Sequence, residues 1–417
     1  MSKVRIALIG AGDRGKDRYG EFAIQYPENI EFVAVAEPNE MRRREFAQKH
    51  NIAPELQFES WEPLLSKERF CDGVIIATQD DMHFDPARIA LKKGYHILLE
   101  KPMSNDVKEC IELGKIAKES GKAFMICHVL RYTTFYSAIK EAIDKKLIGE
   151  VVNIQHNENI GYFHFAHSFV RGNWRNSKES SPLILAKSCH DMDLILWLAG
   201  KKCKRISSFG ELTFFKKERA FENSGERCIQ CLVEDTCPYS AKKLYYNTIG
   251  RWPATVISNI QTTEAIDKAL AEGPYGRCVF KCDNDVVDHQ VTIMEFENGV
   301  TASFNLSAFT NKVHRTLKIM GTEGELRADD SRNEIEIQRF ASNEKVIINP
   351  KVITGGHGGG DHGIMEDFIS LIKTNTGKAL TSADISVESH IMSFAAEEAR
   401  VTNKTISLEE FYNKLTD

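Results

Sequence analysis

The sequence predicts a doubly wound α/β domain followed by an α+β domain on an antiparallel sheet, and three patterns carry that prediction. Residues 1 to about 127 alternate strand-like and helix-like runs, the pattern of a parallel sheet with helices on both faces. Residues 301–308 alternate strictly, with Ala302, Phe304, Leu306 and Ala308 on one face, which is the period of an antiparallel strand with one polar side. The third pattern is local: the apolar run 4–10 passes without a gap into Gly10-Ala11-Gly12-Asp13-Arg14-Gly15.

That G-x-G-x-x-G stands where a strand hands over to a helix. Gly10 permits the tight turn, and Gly12 lets the backbone approach a pyrophosphate. Gly15 lets the helix pack on the sheet with its N-terminal N–H groups towards the phosphates. Asp13 and Arg14 lie in the same turn and count with the glycines as expected cofactor contacts. The second strand, 32–36, ends at Glu37, about 20 residues beyond the last glycine, where a ribose-binding acid is expected. Such an acid accepts hydrogen bonds from the ribose hydroxyls and repels a 2′-phosphate, so NAD is expected over NADP. Arg42, Arg43 and Arg44 follow on a helix capped by Asn39 and read as its solvated face. A Rossmann dinucleotide-binding domain over residues 1–127 follows from these features.

The next strand, 72–78, ends at Thr78, with His83 soon after. Both fall at the carboxyl edge of the sheet, where ligands sit, and are expected beside the cofactor. The strand after Gly94 runs into Glu100-Lys101-Pro102. The proline fixes its own φ and pushes Lys101 out of helical geometry, holding its ammonium at the carboxyl edge. There it could bond a substrate hydroxyl and stabilise developing alkoxide charge. A helix from about 105 to 120 and a last strand over 122–127 close this domain.

Beyond it, 150–160, 291–296, 315–320 and 334–338 read as further strands. The chain then returns to helices, with Ile364, Phe368, Leu371 and Ile372 on one face and Val387, Ile391 and Ala395 on another. A net charge of −5 gives no basic field for nucleic acid, and no apolar run approaches membrane-spanning length. Met1-Ser2-Lys3 leads straight into the first strand, which predicts a cytoplasmic protein whose ten cysteines are thiols or metal ligands rather than disulfides.

Candidate chemistry clusters in four places. Lys187-Ser-Cys-His190-Asp191-Met-Asp193 opens an apolar helix, and a histidine held by a carboxylate is a suitable general base for an alcohol. The segment 162–175 is dense in aromatic and polar groups, so Tyr162, His164, Arg171 and Trp174 are expected substrate contacts, with Lys187 beside them. The glycine-rich run 355–363 could close over substrate with His357 or His362 reaching in, while Asp361 suits a helix N-cap. Cys228-x-x-Cys231-x5-Cys237 has metal-ligand spacing, with Cys278 or Cys282 as a fourth ligand. A structural zinc there would pin the excursion from about 214 to 282. An iron–sulfur cluster and plain reduced cysteines are the alternatives.

Gly10–Gly15, Glu37, Glu100-Lys101-Pro102 and His128-Val-Leu-Arg131-Tyr132, in this order, resemble the glucose–fructose oxidoreductase/inositol dehydrogenase/rhizopine catabolism (Gfo/Idh/MocA) family over essentially the whole chain. The resemblance implies that the second domain, 128–417, is built on a large, open, mostly antiparallel sheet. It also implies bound NAD(P) and a sugar, inositol or related polyol as substrate. In that family a histidine matching His190 and the lysine of Glu-Lys-Pro face the nicotinamide together, and Glu100 and Arg131 fall near it. One position departs: the family's aspartate four residues before this histidine is Ala186 here. The orienting carboxylate must then come from elsewhere, Asp191 or Asp193, with Asp193 taken as the third catalytic residue.

The reading is an NAD-dependent oxidoreductase in which Lys101 holds the reacting oxygen and His190 removes its proton. Two rivals stand beside it: an enzyme that oxidises transiently and recycles NAD (a glycosidase, lyase or epimerase), and a non-catalytic NAD-binding sensor or scaffold. The family's NAD-dependent glycosidase branch carries a loop related to 355–363 but typically lacks the lysine kept here as Lys101. An open sheet with one apolar face predicts a homodimer or homotetramer.

Overall fold

The computed structural model describes residues 3–353, 356–375 and 379–416. β1 (Val4–Ile9), β2 (Ile30–Ala36), β3 (Gln57–Phe58), β4 (Gly73–Ile76), β5 (His96–Leu99) and β6 (Phe124–Ile126) form one sheet of order β3-β2-β1-β4-β5-β6. Every pair in it is parallel. β4 and β5 are buried along their whole length, which is why they read as unbroken apolar runs rather than alternating ones. Strand order reverses between β1 and β4, and in open α/β sheets the crevice at such a switch point takes the ligand. The ladders carry on to that edge: Gly10 N–H donates to the Ala36 carbonyl (2.8 Å) and Glu100 N–H to that of Ile76 (2.9 Å).

The second sheet has nine strands: β7 (Val151–Asn159), β8 (Cys203–Glu211), β9 (His289–Phe296), β10 (Thr301–Ser307), β11 (His314–Gly321), β12 (Gly324–Asp329), β13 (Glu334–Arg339), β14 (Lys345–Ile348) and β15 (Ile406–Ser407). Their order is β14-β13-β12-β11-β7-β10-β9-β8-β15. β7 and β10 pair parallel and the other described pairs are antiparallel. Ala302, Phe304 and Leu306 point into the core, as their alternation requires, and Phe304 and Leu317 flank His156 across the sheet. On the outward face Phe209 and Ile293 stay exposed.

The chain crosses between domains more than once. After β14, the helix Gly360–Thr374 sends Ile364, Met365 and Phe368 into the first core beside Val4, Ile6 and Leu8. The helix Ala383–Thr402 then lies against both domains: Ala383 joins the first core, whereas Ile391 and Ala395 join the second. Between β8 and β9 the cysteine-rich insertion forms short helices around a small core of its own, with Cys228, Ala241, Tyr245, Ile266 and Leu270. No helix among the described residues is long and apolar enough to cross a membrane.

Candidate active site

The glycines behave as their spacing demands. Gly10 has φ +91°, and a Cβ there would stand 2.5 Å from the Ala77 carbonyl oxygen. At Gly15 a Cβ would stand 2.0 Å from the Gly10 carbonyl oxygen, whereas at Gly12 it would meet nothing within 4 Å. The loop is thus closed on its protein side and open at Gly12, where a phosphate approaches backbone N–H groups. Glu37 is buried at the end of β2; its carboxylate accepts from Ala11 N–H (2.8 Å) and Asn39 N–H (2.9 Å). These residues fit a dinucleotide: an open glycine turn with an acid fixed beside it. Arg43 folds back onto the Glu37 carbonyl, Arg44 pairs with Glu40, and Arg42 is exposed.

A cleft of about 240 Å³ opens at this carboxyl edge, between the two domains. From the first domain come Arg14, Thr78, Asp80, Glu100 and Lys101; from the second come His164, Trp174, Lys187, His190, Arg315 and His357. Lys101 Nζ donates to the Ala186 carbonyl at 2.7 Å, in the turn just before the His190 helix (Cys189–Ala199). His190 is 8% exposed, its Nδ1 has no hydrogen-bond partner, and its ring lies 5.7 Å from that of His128 and 6.2 Å from that of His357. Burial, and then the nearby charge of Lys101, push its pKa well below the ordinary value. His190 is therefore a neutral imidazole, the form that accepts a proton.

The floor is a charge network. Arg14 donates to Glu100 (2.5 Å), to both oxygens of Asp361 (3.0 and 2.8 Å) and to Tyr19 Oη (2.8 Å). Burial raises the Glu100 and Asp361 carboxyls, but Arg14 together with Tyr19 and Lys101 at Glu100, and with His357 at Asp361, outweighs it and holds both below their usual range. Arg14 thus locks the glycine turn to the Glu-Lys-Pro strand end and to the 356–361 loop. Asp361 is accordingly an ion-pair partner and not the expected cap; Gly359 occupies the N-cap of the following helix.

Several expected residues are elsewhere, each for a physical reason. Asp193 is held by Arg131 through two short bonds (2.6 and 2.8 Å) with both side chains buried, and Asp191 accepts from His156 (2.7 Å) and Arg315 (2.7 Å). Burial raises the Asp193 carboxyl, and the charge and bonds of Arg131 counter that only in part. Asp191, one residue on, is turned about 100° from His190, and Asp193, three residues on and near the same face, has its carboxylate taken by Arg131, so neither orients His190. Arg131 accordingly braces the domain junction, with its guanidinium over Trp197, and does not line the cleft. Arg171 is buried and donates to the Arg277 and Tyr239 carbonyls, on the insertion side of its segment rather than the cleft side. Tyr162 packs on Phe163 and Tyr239, outside the cleft. His83 spends its ring nitrogens on the carbonyls of Pro102 (2.6 Å) and Thr78 (3.3 Å), bracing the turn from behind. Asp13 faces solvent opposite Arg18, His362 packs on Phe22 and Tyr26, and Gly355 lies outside the described residues.

Asp80 and Arg315 escaped sequence reading. Buried Asp80 accepts from Trp174 Nε1 (3.2 Å) and from the hydroxyls of Ser180 (3.2 Å) and Ser181 (2.9 Å), so it fixes the tryptophan in the wall. Arg315 and Lys187 both pair with Glu158 (2.8 and 3.1 Å). Asp80 follows its strand end by four residues, a signal that could have found it; Arg315 lay hidden in an ordinary alternating strand. Cys228, Cys231, Cys237 and Cys278 line one small pocket with Arg171. Among the described residues, no three His, Cys, Asp or Glu side chains are placed to hold a metal ion, so the expected ligand set is gathered without being closed.

Residues 4–128 match the oxidoreductase family's NAD-binding Rossmann fold, and residues 140–389 match its C-terminal alpha/beta domain. The chain belongs to this Gfo/Idh/MocA oxidoreductase family. It is 28% identical over 319 residues to the protein YteT of Bacillus subtilis (strain 168), covering 71% of this chain and 72% of that one. It is also 28% identical over 162 residues to the 2,7-anhydro-N-acetylneuraminate hydratase of Escherichia coli (strain K12), a match covering 38% of this chain and 42% of that enzyme. A levoglucosan dehydrogenase solved with NADH and levoglucosan shares the fold at TM-score 0.73 and 17% identity, covering 97% of this chain and 99% of that one.

Proposed function

We propose that the cleft is the active site of an NAD-dependent dehydrogenase acting on a carbinol of a sugar, inositol or related polyol. One observation carries the reading: the Lys101 ammonium and the neutral His190 imidazole, from different domains, line the same cleft at the carboxyl edge of the dinucleotide-binding sheet. When bound, the nicotinamide supplies hydride acceptance. Lys101 binds the reacting oxygen and stabilises its negative charge, while His190 takes the hydroxyl proton. Trp174, fixed by Asp80, offers an apolar wall to a sugar face, and His164, Lys187 and His357 offer polar contacts around it. Glu37 favours NAD over NADP. The levoglucosan complex of the structural neighbour supports a carbohydrate as the substrate class. The outward face with Phe209 and Ile293 supports a homodimer or homotetramer, which sedimentation of the purified chain tests.

The orphaned Nδ1 of His190 favours a second reading. Among the described residues no carboxylate orients this base, and Ala186 stands where the family places an aspartate. Such a site also suits transient oxidation followed by elimination or hydrolysis, with NAD recycled, and the matched hydratase supports that direction. The deciding experiment incubates the protein with NAD and a panel of inositols, aldoses, sugar acids and aryl glycosides, following NADH and sugar products together. Net NADH is expected. Cleaved or epimerised sugar without net NADH establishes recycling, and bound NAD with no turnover of any kind establishes a sensor or scaffold.

A further inference from the structure

The insertion between β8 and β9 has a site that hydride transfer does not use. Cys228, Cys231, Cys237 and Cys278 surround one pocket, and two of the sulfurs accept a backbone N–H. The donors are Ala241 to Cys228 (3.5 Å) and Gly225 to Cys231 (3.3 Å). Buried cysteines elsewhere behave differently: Cys71, Cys110 and Cys203 donate their S–H to backbone carbonyls. Only Cys228 in the cluster also approaches a carbonyl, that of Arg277, at 4.0 Å. Cys282, the alternative fourth ligand, donates to the Cys278 carbonyl and stands outside the set. Four sulfurs that converge on one pocket from separate turns of the insertion suit the ligand set of a single soft divalent ion.

Arg171 is the second, independent observation. Its side chain is 1% exposed, it reaches Cys228 Sγ at 3.5 Å through Nη2, and its Nη1 has no partner. No carboxylate among the described residues pairs with it. A buried cation without an anion is costly, so its surroundings call for negative charge that the neutral thiols do not provide. Four thiolates around one divalent ion carry a net double negative charge and meet that need. The cavity among the sulfurs is about 10 Å³, room for one ion-sized sphere rather than a multi-iron cluster. We propose that these four cysteines form a tetrathiolate site for a single zinc-class divalent ion, with Arg171 as its charge-compensating neighbour. The sulfurs, not yet at closed spacing, draw inwards on binding.

Occupancy reaches the cleft through Arg171. It ends the segment Ala166–Arg171, whose Ser168 and Phe169 line the cleft, with His164 before it and Trp174 after it. The insertion holds this segment again at His167, which bonds Tyr245 Oη (2.8 Å), and at Arg175, which pairs with Asp283. A metal site here stiffens the substrate wall without touching the dinucleotide.

Elemental analysis of the full chain, expressed with zinc and purified without chelator, should find one zinc per chain. The double variant Cys231→Ser/Cys237→Ser should lose it, keep NAD affinity, and be cut faster by protease within residues 162–175. Arg171→Met should weaken zinc about 10- to 100-fold in competition with a chromophoric chelator. The proposal is overturned if the wild-type chain neither contains nor takes up zinc while its thiols react freely, or if iron with visible absorbance is found instead. Zinc affinity unchanged in Arg171→Met overturns the charge-compensating role. These readouts do not need the substrate, so they stand apart from any failure of the dehydrogenase assignment.

Discussion

Lys101 and Asp193 illustrate how differently two polar residues near one cleft can act. Lys101→Ala should lower kcat about 10²–10³-fold while NAD affinity is largely kept, because the lost charge faces the reacting oxygen; stopped-flow turnover beside NAD titration checks both halves. Asp193→Asn should instead act on stability. It leaves Arg131 buried with a neutral partner, and breaking such a pair costs about 3–5 kcal/mol, to be read from urea unfolding with turnover per folded molecule retained. His190 gives a pH signature. Its pKa lies well below the ordinary 6.5, so it stays neutral as the pH falls through that value. The acid limb of kcat/KM should therefore fall below pH 6.5, and a limb centred at 6.5 or above would exclude His190 as the base.

At the scale of elements, short periodic segments were legible and their partners were not. The helix Val107–Ser120 is capped by Asp106, which accepts from Lys108 and Glu109 N–H (2.7 and 3.3 Å), and ends at Gly121 with φ +61°. Both signals lie within a few residues, so sequence reading places this helix closely. What it packs on is not local. Gly114 approaches the helix Ala383–Thr402 so closely that a Cβ would stand 2.8 Å from Val387 Cγ2. Gly114→Ala should destabilise by about 1–3 kcal/mol through overpacking, and adding Val387→Ala should recover part of that loss in the same unfolding assay. Recovery shows that the steric contact, and not glycine itself, sets the cost.

The fold buries histidines whose pKa values are held low, His167 against the insertion and His390 between the two domains. Burial, followed by Arg171 for His167 and by His128 for His390, brings both down to about 3. The unfolded chain protonates them near the ordinary 6.5, while the folded chain does not. Below 6.5 the unfolded state thus binds more protons, and stability falls with pH until the folded values near 3 are reached. The expected result is a melting temperature that is flat above pH 7 and declines steadily below 6.5. The decline should be shallower in His390→Gln than in the parent chain, measured at matched ionic strength.

The sequence by itself determined the two sheets, the glycine turn, Glu37, and the placing of Lys101 and His190 on elements that meet. The sheets, the turn and Glu37 are encoded in local periodicity, turn chemistry and spacing, whereas the meeting of Lys101 with His190 followed from the resemblance to the family. Only the tertiary structure decided which polar side chains face the cleft. Arg14 meets Asp361 across 347 positions, Trp174 meets Asp80 across 94, and Asp193 turns to Arg131 across 62. Helical phase and packing set those directions: a shift of one residue along a helix swings a side chain by about 100°. Charge type alone carries no record of that, so Asp191 and Asp193 read as orienting carboxylates, Arg131 as a cofactor neighbour and Arg171 as a substrate contact, and in three dimensions each is a brace.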